Sequence, residues 1–192
     1  MTDTVSDPTT VTESTTDSDA APAAEVRLND VNIDAVAGLV GAIRDDPSAA
    51  KTTWAAHVGW TGAFTSQARI RRFEPVPSDE PAALGGGDTA PNPVEQLLGA
   101  LGNCLAVGYA ANATLAGIEL RDLRVDVSGD LDLSVFLGLD EGHAGFETIR
   151  ASVRIDADAT DDQIADLHAK VLASSPVGHT LAERVPVDIS LA

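Results

Sequence analysis

From Gln96 to Ile118 the chain carries no charged residue, and this stretch constrains the fold more than any other. Asn92 is a natural N-cap, Pro93 falls at N1, Glu95 at N3 and Gly117 just past the end, which predicts one helix over Pro93–Ala116. At about 1.5 Å per residue such a helix spans about 36 Å. That length would cross a bilayer, but the composition argues against it. The segment is rich in Ala and Gly and contains Asn103, Asn112 and Thr114. Glu95, Glu119 and Asp122 flank it in place of a lysine/arginine cluster. A helix apolar all round in a soluble protein is a buried central helix. Gly99, Gly102 and Gly108 would let neighbours approach it closely, and Leu97, Leu101, Cys104, Leu105, Gly108 and Leu115 share one face.

The remaining elements are shorter. Asn32 caps a predicted helix over Ile33–Arg44, where Val36, Leu39, Val40 and Ile43 form an apolar stripe and Asp45-Asp46-Pro47 ends it. Thr52–Trp60 and Phe64–Phe73 flank Thr61-Gly62-Ala63 as a predicted hairpin. Trp54 and Trp60 share a strand face there, which suits core filling better than cavity lining. Glu74–Ala90, with three prolines and Gly85-Gly86-Gly87, reads as a loop. Strands are expected at Leu123–Gly129, Thr148–Ala157 and Val185–Leu191. A helix is expected over Asp161–Ser174, opened by the Thr160/Gln163 capping box and stopped by Pro176. Residues 1–25 hold Thr, Ser, Asp, Ala and Pro with almost no large apolar side chain, so they read as a disordered acidic tail. They lack the basic start and apolar run of a signal peptide, so a cytoplasmic location is expected. Residues 26–192 form the expected domain.

Charge narrows the partners. Against 30 acidic residues stand 12 basic ones, for a net charge of −18, and only Lys51 and Lys170 are lysines. Nucleic-acid binding requires a basic surface that this balance denies. Self-repulsion of that size is relieved in molar salt, where the Debye length falls to about 3 Å. The acids are spread over the domain as well as the tail, which suits a halophilic source.

The motifs for common chemistries are missing. Gly85-Gly86-Gly87 has no following Lys-Ser/Thr, and no GxGxxG precedes a helix. His57, His143, His168 and His179 lack metal-ligand spacing and read as surface or structural residues. Asp126, Asp130 and Asp132 do not match a calcium loop and read as a solvated face. No Gly-x-Ser-x-Gly elbow occurs. Cys104 is the one cysteine, so no internal disulfide forms. It reads either as a small core residue or as a nucleophile. The second role requires a cation nearby, because the thiolate is the reactive form. Arg69, Arg71 and Arg72 cluster on the predicted second hairpin strand and are candidates; their other reading is a patch that pairs with surface acids.

Asn92-Pro93-Val94-Glu95-Gln96-Leu97-Leu98-Gly99-Ala100-Leu101-Gly102-Asn103-Cys104 resembles the Asn-Pro-x-Glu-x-Leu-Leu-x-x-Leu-x-x-Cys helix of the OsmC/Ohr family, the osmotically induced and organic hydroperoxide resistance proteins. The Gly-Asp-Leu-Asp segment within Leu123–Leu139, the Gly145–Arg150 strand start, Ser174-Ser175-Pro176-Val177 and Val185-Pro186-Val187 are similar to that family in the same order. The resemblance implies an α+β fold of long buried central helices wrapped by antiparallel sheets, in an intertwined homodimer. It also implies a chemistry. In the peroxidase members a helix cysteine attacks an organic hydroperoxide, an arginine stabilises the thiolate, a glutamate holds the arginine, and a second cysteine resolves the sulfenic acid. Cys104 corresponds to the attacking cysteine.

Three positions depart from that pattern. The glutamate position ten residues before the cysteine is Val94. Glu95 is adjacent but turned by about 100°, with a capping role of its own. The second-cysteine position is Ser175. No motif fixes the arginine, which leaves Arg69 and Arg71. The departures resemble a single-cysteine branch, in which an external thiol would be the reductant and no bound cofactor or metal is expected. Three functions are consistent with these residues: a one-cysteine thiol peroxidase using Cys104, Arg69 or Arg71, and Glu95; a non-peroxidase protein binding an apolar small molecule in the same dimer-interface cavity; and a fold kept for protein interaction alone.

Overall fold

A computed structural model describes residues 27–183 and 185–191; the expected acidic tail lies outside these residues. The helix that the uncharged stretch demands is present. It runs over Pro93–Leu115 (α2) with a complete capping box, Asn92 accepting from the Glu95 N–H and Glu95 accepting from the Asn92 N–H. Leu101, Leu105, Tyr109 and Ala113 recur every four residues and are buried together with Ile118, Leu167 and Val171.

Two layers cover α2. One is an antiparallel pair, Leu120–Asp130 (β4) and Thr148–Ala157 (β5), in which Val125 faces Val153 and Val127 faces Ala151. The other is the helix Asp161–Ser174 (α4), opened by the expected Thr160/Gln163 capping box. Glycine sets both approaches: a Cβ at Gly102 would sit 3.4 Å from Val127, and one at Gly108 would sit 3.1 Å from Val171. A Cβ at Gly99 would meet no neighbouring element within 4 Å, so its expected packing role is not realised within one chain.

A three-stranded sheet forms from His57–Gly62 (β1), Thr65–Arg69 (β2) and Val76–Ser78 (β3), in that order. The hairpin is therefore present, but its turn falls at Ala63-Phe64, with Gly62 at φ 128° and Ala63 at φ 43°. Trp54 lies before β1 rather than in it. Trp54 and Trp60 are 78% and 77% exposed, which corrects the core-filling reading: the sheet stands apart from the α2 core and gives them nothing to pack against. The helix Ile33–Asp45 (α1) forms on its Asn32 cap, yet it buries no residue.

Other differences are local. The expected loop after Phe73 includes β3 and a 3-10 turn at Ala82–Leu84. Asp132 caps a short helix, Leu133–Phe136 (α3). Pro176 does stop α4, but it also occupies N1 of a further helix, Pro176–Ala182 (α5), because its fixed φ suits a first helical turn. Val185–Leu191 is not a strand: Val185, Val187, Ile189 and Leu191 are exposed, and no neighbouring strand is available to pair with them among the described residues. No helix among the described residues is long and apolar enough to cross a membrane.

Candidate functional site

Cys104 lies at mid-length on α2 and is half-buried. Its Sγ is 3.3 Å from Ser175 Oγ. Ser175 is itself buried, at the junction between α4 and α5, where its Oγ accepts the Gly178 N–H at 3.1 Å and caps α5. With one lone pair taken by that N–H, the hydroxyl proton is free to point at the sulfur. The spacing Ser-Pro thus delivers a fixed hydroxyl to the lone thiol of the chain.

The other candidates lie elsewhere in the single chain. Glu95 is nine residues before Cys104, which at about 100° per residue puts it on the opposite face of α2. Its carboxylate accepts the Asn92 N–H at 2.9 Å, and it lines a groove of about 900 Å³ with Leu98, Gly102, Asn103 and Val127. Val94 is partly exposed near the start of the helix. Arg69 ends β2 and Arg71 lies in the turn after it, its guanidinium 4.7 Å from the Phe73 ring centroid. Both line a separate cavity of about 740 Å³ with Trp54 and His57. The structure thus joins Cys104 to Ser175 and brings neither Glu95 nor the arginines to the thiol within one chain.

The loop entering α2 is rigidly organised around Asp79, which the sequence did not single out. Asp79 is buried; its carboxylate accepts Thr89 Oγ1 at 2.8 Å and the N–H groups of Glu80, Gly87 and Thr89 at 2.8, 3.1 and 3.1 Å. The Thr89 hydroxyl, with these N–H groups, holds the carboxyl below its usual range despite desolvation. The triple glycine now has a reason. Gly85 adopts φ 88°, and a Cβ on Gly86 would lie 1.9 Å from the Glu80 carbonyl.

On the far side of the core, the buried Tyr109 hydroxyl is hydrogen-bonded to Nδ1 of His168. Burial pushes the Tyr109 phenol above its usual range. The only sequence hint was a tyrosine in an uncharged helix, whose hydroxyl needs a partner. His168 is accordingly structural, as expected. Asp126 and Asp130 pair with Arg154 and Arg150 on the solvent face of the β4–β5 pair, and Asp132 caps α3. No group suited to hold a metal ion occurs among the described residues.

A central cysteine helix under an antiparallel pair defines an α+β protein with a half-buried thiol on that helix. The chain belongs to the OsmC-like protein family, whose model matches residues 85–190. Solved structures share the fold at low identity. An OsmC-like protein from Mycoplasma pneumoniae is 17% identical, with a TM-score of 0.60 over 69% of this chain and 89% of that one. The organic hydroperoxide resistance protein OsmC from Legionella pneumophila is 16% identical, with a TM-score of 0.53 over 68% and 91%. An OsmC-like protein of unknown function from Vibrio cholerae is 10% identical, with a TM-score of 0.54 over 68% and 94%. Among curated proteins, none matches the chain.

Proposed function

We propose that the protein is a one-cysteine thiol peroxidase for organic hydroperoxides, active as a homodimer. The observation that carries this reading is the Cys104–Ser175 pair: the lone thiol is held on the central helix against a fixed hydroxyl 3.3 Å away, with no second thiol to resolve it. Family membership and the name borne by the Legionella relative support the substrate class. The Cys104 thiolate attacks the outer peroxide oxygen, the O–O bond breaks, and the leaving alkoxide takes a proton and departs as an alcohol. Cys104 is left as sulfenic acid. Ser175 cannot form a disulfide, so an external thiol attacks the sulfur and releases water. A second thiol then frees Cys104, and the reductant leaves as its disulfide.

The cation comes from a second copy in this reading. Arg69 or Arg71 reaches Cys104 across the dimer from the hairpin that carries exposed Trp60; Glu95, which caps α2 on the face opposite Cys104, does not reach that guanidinium from the same chain. Turnover of cumene hydroperoxide with excess dithiol, in molar potassium chloride, tests the proposal in wild type and Cys104→Ser. Fast turnover lost in the variant supports it, and equal, negligible turnover by both proteins overturns it.

A second reading, a small-molecule binding protein without peroxidase activity, draws on the same geometry. Neither Glu95 nor an arginine meets Cys104 in one chain, while a groove of about 900 Å³ opens on the other side of α2. It predicts a slowly alkylated thiol and a copurifying apolar ligand.

A further inference from the structure

We propose that Gln96 is a positioning residue: its side chain is the strut that sets the β1–β3 sheet, and with it Arg69 and Arg71, at a fixed angle to α2. Pro77 lies in β3, the outer strand of that sheet, opposite Gln67 of β2. Proline brings no N–H to a strand edge. The Pro77 carbonyl accepts from Gln96 Nε2 at 2.9 Å, and the second proton of the same amide goes to the Pro91 carbonyl at 2.9 Å. Gln96 stands at the start of α2. One amide thus ties the edge of the sheet to the entry of the helix. Among the described residues no other side chain of α2 hydrogen-bonds to this sheet.

The rest of the connection keeps that angle. Ser78 Oγ donates to the Pro91 carbonyl at 3.2 Å, so both ends of the connecting loop meet at one acceptor. Between them the Asp79 carboxylate gathers the Glu80, Gly87 and Thr89 N–H groups. The sheet stands apart from the α2 core, so this loop and the Gln96 amide fix its direction. Hydrogen bonds open to water contribute little to stability, because water competes for both partners. What Gln96 supplies is orientation. Val76 of the anchored strand faces Ala68, the neighbour of Arg69, so the arginine backbone moves with β3. Attraction between a guanidinium and a thiolate weakens with distance, and a swing of the sheet is therefore felt at the sulfur. This consequence rests on the peroxidase reading, in which Arg69 or Arg71 serves Cys104 of a second copy.

The pH profile of Cys104 alkylation by iodoacetamide, in the full chain in molar potassium chloride, tests the role. Loss of both arginines in Arg69→Gln/Arg71→Gln should move the profile to higher pH by about one unit or more. Gln96→Leu should move it the same way by about half a unit or more, with native circular dichroism and dimer mass. Gln96→Lys keeps a donor of similar reach, and molar salt screens its charge beyond about 3 Å; its profile should lie closer to wild type. Added to the arginine double variant, Gln96→Leu should shift nothing further, because it acts through the arginines. A Gln96→Leu profile that superimposes on wild type while the arginine variant is shifted overturns the positioning role and leaves the peroxidase reading standing. An arginine variant that matches wild type overturns the arginine route, and the role with it. A further shift in the triple variant, or loss of native dichroism in Gln96→Leu, also overturns the role, since Gln96 would then act on the thiol by another path or hold the fold itself.

Discussion

Ser175 shows how one atom decides the chemistry open to a site. Its Oγ lies 3.3 Å from Cys104 Sγ, and a disulfide needs about 2.05 Å between sulfurs. The Ser175→Cys variant should therefore form a disulfide with Cys104 after little more than about 1 Å of movement. Treatment with cumene hydroperoxide should then consume both thiols and lower the mass by two hydrogens, where the proposed wild-type reaction needs an external thiol. Two free thiols after oxidation by copper phenanthroline would refute the geometry. Asp79 gives a second prediction at this scale, through pH. Its folded carboxyl titrates below the ordinary value because the Thr89 hydroxyl and three N–H groups favour the anion. The stabilisation is fully present above the ordinary carboxylate value of about 3.9 and is lost as pH falls through the lower folded value. Asp79→Asn keeps the shape without the charge. In molar potassium chloride its thermal midpoint should start lower at pH 7 and fall less steeply than that of wild type from pH 5 to pH 3. Parallel curves would sink the assignment.

At the scale of elements, close approach and anchoring control α2. A side chain on Gly108 must displace Val171, since even a Cβ would sit 3.1 Å from it. Gly108→Leu should cost about 2 kcal/mol or more by overpacking, measured by urea unfolding; a midpoint unchanged from wild type would mean that α4 does not seat there. Asn29 anchors the other end of the helix. Its amide donates to Thr114 Oγ1 at 3.0 Å and to the Ile118 carbonyl at 2.9 Å, and its oxygen accepts the Leu120 N–H at 2.8 Å. Asn29→Ala should cost about 2 kcal/mol in the same unfolding measurement, because it strands partly buried groups. These cases mark what the sequence discloses. The caps at Asn92 and Thr160 and the run of uncharged residues act locally, so α2 and α4 were legible almost to the residue. The Cys104–Ser175 contact was legible only as two positions of a family pattern. Asn29, Asp79 and the Tyr109–His168 pair gain their meaning from partners far along the chain or across a loop, and no local spacing announces them. Val185–Leu191 failed for a related reason: alternation supplies a face, but a strand also needs a neighbour.

For the whole molecule the apolar surface is unevenly covered. One face of α2 is buried, but Val107 and Leu115 on the helix remain 69% and 64% exposed, so, contrary to expectation, it is not buried all round within one chain; Trp54, Trp60, Val187 and Ile189 stand 78%, 77%, 77% and 88% exposed. Burial of such side chains is worth about 1.5–3 kcal/mol each, so a second copy has a strong reason to cover them. Sedimentation equilibrium should give about twice the 19.8 kDa of one chain, and a monomer would remove the route proposed for Arg69 or Arg71 to Cys104. Charge opposes that association. Two copies bring together twice the net charge of −18, and at about 0.1 M salt the Debye length of about 10 Å leaves surface charges in range of one another. At about 1 M the length is about 3 Å and the repulsion is confined to direct neighbours. The dimer should therefore weaken as potassium chloride is reduced, with the thermal midpoint falling and becoming dependent on protein concentration. The β4–β5 ion pairs are exposed and contribute little to this trend, so Arg150→Gln should leave the salt dependence nearly intact. A midpoint that does not move between about 0.1 M and about 1 M salt, where screening changes most, would mean that the acids are neutralised within the fold rather than screened by solvent.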